Sequence, residues 1–197
     1  HVVVMGTGEP FDNYDAVMDF VRIINHPKGL AIGARHITIS TCGLCDAIER
    51  YSHEGIQTNL AISLHAPNDE LRNQLMPINK RYPMDVLRQS IVDYIQKTNR
   101  RVTFEYILLR GVNDELKHAR QLAHYIKGLN AYVNLIPYNA VDEHGYQQSL
   151  PQDVEAFKSE LLRLKINVTL RKEHGRDIDG ACGQLRAMKV GEQSCKS

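Results

Sequence analysis

The chain has 197 residues, 43% of them apolar and 24% charged, with a formal net charge of +1. That length suits one domain with a sizeable core, and the composition excludes a disordered chain. The balanced charge gives no argument for a polyanionic partner, no apolar run reaches membrane-span length, no signal peptide is expected, and four cysteines in so long a chain exclude a disulfide scaffold and favour a reducing cytosol.

Val2 to Met5 is a short β-branched run that ends in GTGEP, and it reads as a buried strand followed by a tight loop. It follows His1 directly, so the chain reads as the C-terminal part of a longer polypeptide. A helix is expected over 13–25, with Tyr14, Val17, Met18, Val21 and Ile24 on one face. Pro27, Gly29 and Gly33 break it before a second strand, HITIST from His36. A short helix with Ala47, Ile48 and Tyr51 inward leads to a third strand, NLAISLH, over 59–65. Pro67-Asn68-Asp69 opens a brief helix, and Pro83 opens a longer one that buries Leu87, Ile91, Tyr94 and Ile95. VTFEYILL from Val102 is the fourth strand. GVND then turns and caps a helix whose inward residues are Leu116, Ala119, Leu122, Ala123 and Ile126. YVNLI from Tyr132 is the fifth strand, and a polar loop leads to a helix that buries Val154, Phe157, Leu161 and Leu164. NVTLR from Asn167 is the sixth strand. Strand and helix alternate without hairpin signals, so the fold class is α/β with parallel strands. Both an open doubly wound sheet and a full or partial βα-barrel meet that pattern.

The strands end in small or hydrogen-bonding residues: Gly6-Thr7-Gly8-Glu9 after the first, Ser40-Thr41 on the second, Ser63 and His65 on the third, and Asn139 after the fifth. Solvation explains one or two polar strand ends. Their recurrence favours a ligand site, because parallel βα folds collect functional residues at the C-terminal ends of their strands. GTGEP is neither a dinucleotide fingerprint nor a P-loop. Glu9 would repel phosphate and welcome an ammonium or hydroxyl group, or it simply starts the next helix.

Cys42-Gly43-Leu44-Cys45 has the spacing of a thiol redox motif or of half a zinc site. No second pair completes a zinc site, and two ordinary loop cysteines is the favoured reading. His65 alone reads as a satisfied histidine, and Lys80-Arg81 and Arg100-Arg101 read as solvated faces. Cys195 has no argued role. Near the C-terminus, GRDIDGACGQLR (175–186) sets Cys182 between Ala181 and Gly183, in a glycine-rich segment whose backbone can bend closely. On composition alone, burial is the leading reading of Cys182, ahead of nucleophile or metal ligand.

Taken together and in order, MGTGEP, ARHITIST, SLHAPND, LMPINKRYP, FEYILLRGVND, VNLIPYN and DIDGACGQLR closely resemble the RlmN/Cfr family of radical S-adenosylmethionine (SAM) RNA methyltransferases, over about Val2 to Arg186. The resemblance implies a partial parallel βα-barrel of the radical SAM type, lacking its N-terminal part, over 1–190, with a disordered tail over 191–197. It implies SAM contacts at Gly8, Glu9, Ser40, Ser63, His65 and Asn139. Glu9 would take the methionyl ammonium, and the hydroxyls and amide the carboxylate and ribose. Cys182 matches the cysteine that is methylated and passes the carbon to the base. In the family, one SAM methylates that thiolate. A second is cleaved through a 4Fe-4S cluster to a radical that activates the S-methyl group, and a second cysteine resolves the adduct. The family's C-x-x-x-C-x-x-C cluster motif, its second cysteine, a glutamate base and a helical domain have no counterpart in these residues. Metal ligands are therefore expected upstream, and none in this chain. Gly180 and Thr7 are mild departures.

The implied activity is methylation of adenine carbon 2 in 23S rRNA and, for some members, tRNA. The implied setting is the cytoplasm, without a membrane, as a monomer served by an electron donor such as flavodoxin. The alternatives are a SAM- or nucleotide-binding module without catalysis, the C8-methylating relative and, further off, a thiol oxidoreductase using Cys42 and Cys45.

Overall fold

A computed structural model of the chain describes residues 1–5, 8–139 and 145–171. Its strands are β1 (Val2–Val4), β2 (Ile37–Thr41), β3 (Asn59–Ser63), β4 (Val102–Leu108), β5 (Ala131–Pro137) and β6 (Val168–Leu170). Between them lie helices α1 (Tyr14–Asn25), α2 (Cys45–Ser52), α3 (Asp69–Leu75), α4 (Met84–Thr98), α5 (Leu116–Ile126) and α6 (Pro151–Arg163). The strands lie in the sheet in sequence order, and every pairing is parallel.

That order decides between the two closures. A doubly wound sheet reverses direction at a switch point, whereas here each crossover steps to the next strand the same way. With right-handed crossovers, all the helices fall on one face. Among the described residues β1 and β6 do not pair, so the sheet is an open partial barrel.

Side chains alternate between the two faces of a strand, and the register turns that alternation into rows. Ile39, Leu60 and Val102 form one row and Ile62, Phe104 and Val133 another, all fully buried against the helices. The intervening rows face the concave side and are polar. Ser40, Ala61, Thr103 and Tyr132 make one row, and Ser63, Glu105, Asn134 and Thr169 the next. The helices complete the core with Met18, Val21, Ile48, Leu87, Ile91, Leu122 and Phe157.

Three local expectations need correction. The first strand, expected to be buried, lies at the edge of the sheet, with Val3 exposed and Val2 and Val4 half-buried. Leu116 is 43% exposed, because α5 begins there and its first turn stands clear of the sheet. The cap of α5 is Glu115, in a capping box with His118, rather than Asn113 or Asp114. Those two residues are buried for other reasons. Asp114 accepts from Gly111 N–H and Ser149 Oγ, and Asn113 ties the end of β4 to the segment after β3.

Phe104 is fully buried and meets Tyr125 edge to face at 6.1 Å between ring centroids, while Val3 on the edge strand is 53% exposed. Phe104→Ala is expected to cost about 3–5 kcal/mol in urea unfolding, and Val3→Ala less than about 0.5 kcal/mol. Similar costs at both positions would contradict this assignment of faces.

Candidate functional site

The concave face meets the strand ends at a group of polar residues built around the peptide of Cys42. Glu9 caps a short 3-10 turn, Pro10–Asn13, where its Oε1 accepts the N–H of Phe11 at 3.0 Å. Its Oε2 accepts the N–H of Cys42 at 2.7 Å. The helix-start reading of Glu9 is thus part of the structure, yet the carboxylate keeps free lone pairs, since each oxygen can accept more than one donor. Gly8, beside it, has φ +102, a conformation that favours glycine.

On its other side the Cys42 carbonyl accepts Nη2 of Arg72 at 2.7 Å. The same nitrogen lies 3.5 Å from the carbonyl of Ser63, and Nη1 donates to Asn79 Oδ1 at 2.9 Å. Arg72 is fully buried. The turn can pass this closely because Gly43 has φ +101, and a Cβ there would stand 3.0 Å from Leu87 Cδ1. Ser40 and Ser63 project from adjacent strands with their hydroxyl oxygens 3.4 Å apart.

His65 lies just beyond β3, which ends at Ser63, two residues earlier than the sequence pattern suggests. The chain turns there, with His65 at φ +57. Glu105 O receives the N–H groups of both Leu64 and His65, and Asn113 Nδ2 donates to His65 O at 2.8 Å. The Nδ1 of His65 accepts the N–H of Ile107 at 3.2 Å. The ring proton therefore sits on Nε2, leaving one outward donor. Burial, followed by the Arg72 charge, lowers its pKa to about 4, so the ring is neutral at pH 7.

Glu105 and Arg72 are polar residues that the strand-end pattern did not select. Glu105 occupies the row of Ser63, where burial raises its carboxyl pKa against the opposing effects of Arg171 and Asn134. The signal for it was present in the alternation of Thr103 and Glu105 with Val102, Phe104 and Tyr106. For Arg72, in DELRNQL, no such signal exists.

Below this row the barrel holds a cavity of ≈ 550 Å³ lined by Thr38, Asn59, Thr103, Glu105 and Arg100. Arg100 donates to Asn59 Oδ1, and Arg101 lies 4.4 Å over the ring of Tyr132. The expectation of a solvated Arg100-Arg101 face is corrected for Arg100 alone, which is half-buried at the rim of the cavity, whereas Arg101 stays exposed. Arg81 does stay on the surface, beside Asp46.

Glu9, Ser40 and Ser63 are thus brought together through Cys42 and Arg72, with His65 on the adjoining turn. Asn139 is half-buried two residues past β5, and among the described residues no hydrogen bond joins it to the others. Cys182, Cys195 and the expected tail over 191–197 lie outside the described residues.

Both motif cysteines are free. Burial and the Glu9 carboxylate push Cys42 up to about 12, and burial pushes Cys45 up to about 11. A redox-active pair needs a thiolate, and these raised thiols do not fit that role. Among the described residues no group of three or more His, Cys, Asp or Glu could hold a metal ion. None of the described helices is long and apolar enough to cross a membrane.

An open parallel barrel with a polar bore and a carboxylate, two hydroxyls and an imidazole N–H at its strand ends is the setting in which the comparisons with known proteins belong. A family model described as the Radical SAM superfamily matches residues 1–123, and the chain belongs to that superfamily. Membership implies SAM and a 4Fe-4S cluster as the group's general cofactors. More narrowly, the chain is 58% identical over 193 residues to a Geobacillus kaustophilus protein named "Probable dual-specificity RNA methyltransferase RlmN", covering 98% of this chain and 53% of that one. A Listeria welshimeri protein of the same name is 60% identical, with 96% and 53% covered. The chain spans about half the length of these curated relatives. A crystal structure of a radical SAM methyltransferase from Sphaerobacter thermophilus superposes with a TM-score of 0.90 at 45% identity, covering 93% of this chain and 54% of that one. A domain of a pyruvate-formate lyase-activating enzyme from Bacteroides vulgatus, at 16% identity and TM-score 0.64, shares the fold over 87% of this chain and 98% of its own length.

Two measurements check the chemistry of the site. His65 has its folded pKa below the unfolded value, so the unfolded state binds more protons between about pH 4 and 6.5. Stability should therefore rise with pH through that window and fall as acid is added, and His65→Gln should flatten that part of the slope. An unchanged slope would contradict the half-buried neutral ring. Iodoacetamide at pH 7.5 should alkylate Cys42 and Cys45 far more slowly in folded than in urea-unfolded protein, as read by peptide mass spectrometry. Rapid labelling in the folded state would restore the redox reading.

Proposed function

We propose that this chain is the SAM-binding part of an RNA methyltransferase that modifies adenine carbon 2 in 23S rRNA and, as in some members of the family, tRNA. The observation that carries the reading is the 58% identity to a relative named as an RlmN RNA methyltransferase, running over 98% of this chain. The strand-end geometry supports it.

Glu9, held by two backbone N–H groups, would take the methionyl ammonium of SAM on its remaining lone pairs. Gly8 would let the backbone approach the ligand. The paired hydroxyls of Ser40 and Ser63 and the amide of Asn139 would hold the carboxylate and ribose, and His65 would donate through Nε2–H. SAM and the 4Fe-4S cluster together would supply the methyl group and the radical chemistry needed at an unactivated ring carbon. We assign the cluster ligands to the part of the protein outside this chain. Cys182 would carry the methyl group to the base as an S-methyl thioether, and the same reading includes a cytoplasmic setting, a monomer and an electron donor such as flavodoxin.

The test is mass spectrometry of rRNA and tRNA adenosines in a strain lacking the full-length gene. The deletion should remove 2-methyladenosine and the wild-type gene should restore it. Cys182→Ala should fail to restore it while the purified protein still assembles its cluster. Glu9→Gln should weaken SAM binding by roughly tenfold or more, as expected for loss of a charge-assisted contact. Unchanged 2-methyladenosine in the deletion strain would overturn the assignment.

A further inference from the structure

Asn113, in the turn between β4 and α5, is fully buried. Its Nδ2 donates to His65 O and to Ile107 O, each at 2.8 Å, and its Oδ1 accepts the N–H of Leu109 at 2.8 Å. Only one orientation of the amide serves, because the reverse would set its oxygen against two carbonyls. The carbonyl of Asn113 accepts the buried Tyr106 hydroxyl at 2.8 Å, which anchors the residue from the helix side of the sheet.

These bonds meet the chain where its backbone is strained. β3 stops at Ser63, and the N–H groups of Leu64 and His65 share Glu105 O. His65 sits at φ +57, in the left-handed region that a non-glycine residue keeps only where its surroundings hold it. A continued parallel ladder would give the Ile107 N–H to a carbonyl of the neighbouring strand. Here it goes to His65 Nδ1 at 3.2 Å. The amide of Asn113 stands in for the strand that has ended, and it holds the carbonyls of the two residues that this bond joins.

We infer that Asn113 is a positioning residue for the ligand site, locking the His65 turn so that the imidazole keeps Nδ1 on the Ile107 N–H and presents Nε2–H to the ligand. Asn113 touches no ligand and acts through His65. The inference rests on the SAM reading for what His65 meets. A backbone N–H can only donate, so a ring held in this place has Nδ1 as its acceptor. Without the Asn113 amide two carbonyls and the Leu109 N–H lose a partner, and the strained turn loses its clamp. The ring is then free to leave Ile107 and to exchange tautomers. An apolar residue could fill the same volume but could not bridge β4 to the turn.

Two measurements on the full-length protein test this. Long-range imidazole NMR spectra of histidine-labelled protein, with His65 assigned from the His65→Gln spectrum, should show a single tautomer at pH 7.5, protonated at Nε2. In Asn113→Ala the His65 ring signals should move toward those of two exchanging tautomers. A ring unchanged in that variant, or a wild-type ring protonated at Nδ1, would overturn the inference. Calorimetric titration with SAM reads the consequence. Asn113→Ala should weaken binding roughly tenfold, but by less than about threefold when His65 is already replaced by alanine. An equal loss in both backgrounds marks a merely structural role and would also overturn it. If Asn113→Ala does not fold, Asn113→Asp takes its place in both measurements, since it keeps the shape and the acceptor for Leu109 N–H but has no amide donors. If the wild type binds no SAM, the SAM reading fails, and the imidazole spectra still decide whether Asn113 sets the ring.

Discussion

A parallel sheet whose crossovers all step in one direction has two unlike faces, and the rest of this structure follows from that constraint. All the helices lie on one side, so the alternate rows of each strand meet entirely different surroundings. The rows of Ile39, Ile62 and Phe104 are sealed against helices. The rows of Ser40 and Ser63 face a bore that contains Glu105, Asn134 and a cavity. Burying polar side chains costs free energy unless they are paired. Here the pairs run between neighbouring strands, Ser40 with Ser63 and Asn134 with Thr169, so the polar rows also fasten the sheet.

At the top of that bore the backbone of one residue, Cys42, couples three strands. The N–H of Cys42 is held from the β1 side by Glu9, and its carbonyl from the β3 side by Arg72. Hydrogen bonds to charged groups contribute about 1.5–3 kcal/mol each, and removing one member of a buried set leaves the other unsatisfied. The peptide and the residues around it therefore keep a fixed geometry before any ligand arrives. That rigidity holds a carboxylate, two hydroxyls and an imidazole N–H in fixed places along the strand ends. The thiol of Cys42 stays protonated next to the Glu9 carboxylate, so the C-x-x-C spacing serves the turn rather than redox chemistry.

Much of this was legible in the sequence because it depends on local pattern. The β-branched runs, the helical spacing of Tyr14, Met18, Val21 and Ile24, and the polar strand ends gave the elements and five strand-end residues of the candidate site, Glu9, Ser40, Ser63, His65 and Asn139. The choice between barrel and doubly wound sheet was not legible in the local pattern, because strand order is a long-range property; the family resemblance implied the partial barrel, and the strand order bears it out. The inward polar row could have been read from the alternation of Thr103 and Glu105 with Val102, Phe104 and Tyr106, but a strand buried on one face and polar on the other is easily taken for a uniformly apolar one. Arg72 could not have been found, since nothing in DELRNQL separates a buried arginine from a surface one. Leu116 failed for the opposite reason: helical spacing places a residue on the inner face without saying where the helix meets the sheet. Cys182 was singled out by its neighbouring glycines and by a family resemblance, and its role rests on those alone.

The central claim is that the strand-end group around Glu9, Cys42 and Ser63 is the ligand site, and that the Arg100–Asn130 end of the bore is not. An amide NMR titration of the full-length protein with SAM tests it most directly. The account predicts saturable shift changes at Gly8, Glu9, Cys42, Ser63 and His65, with the amides of Arg100, Arg101 and Asn130 unmoved. Changes confined to those last three, with the Cys42 amide unaffected, would contradict it.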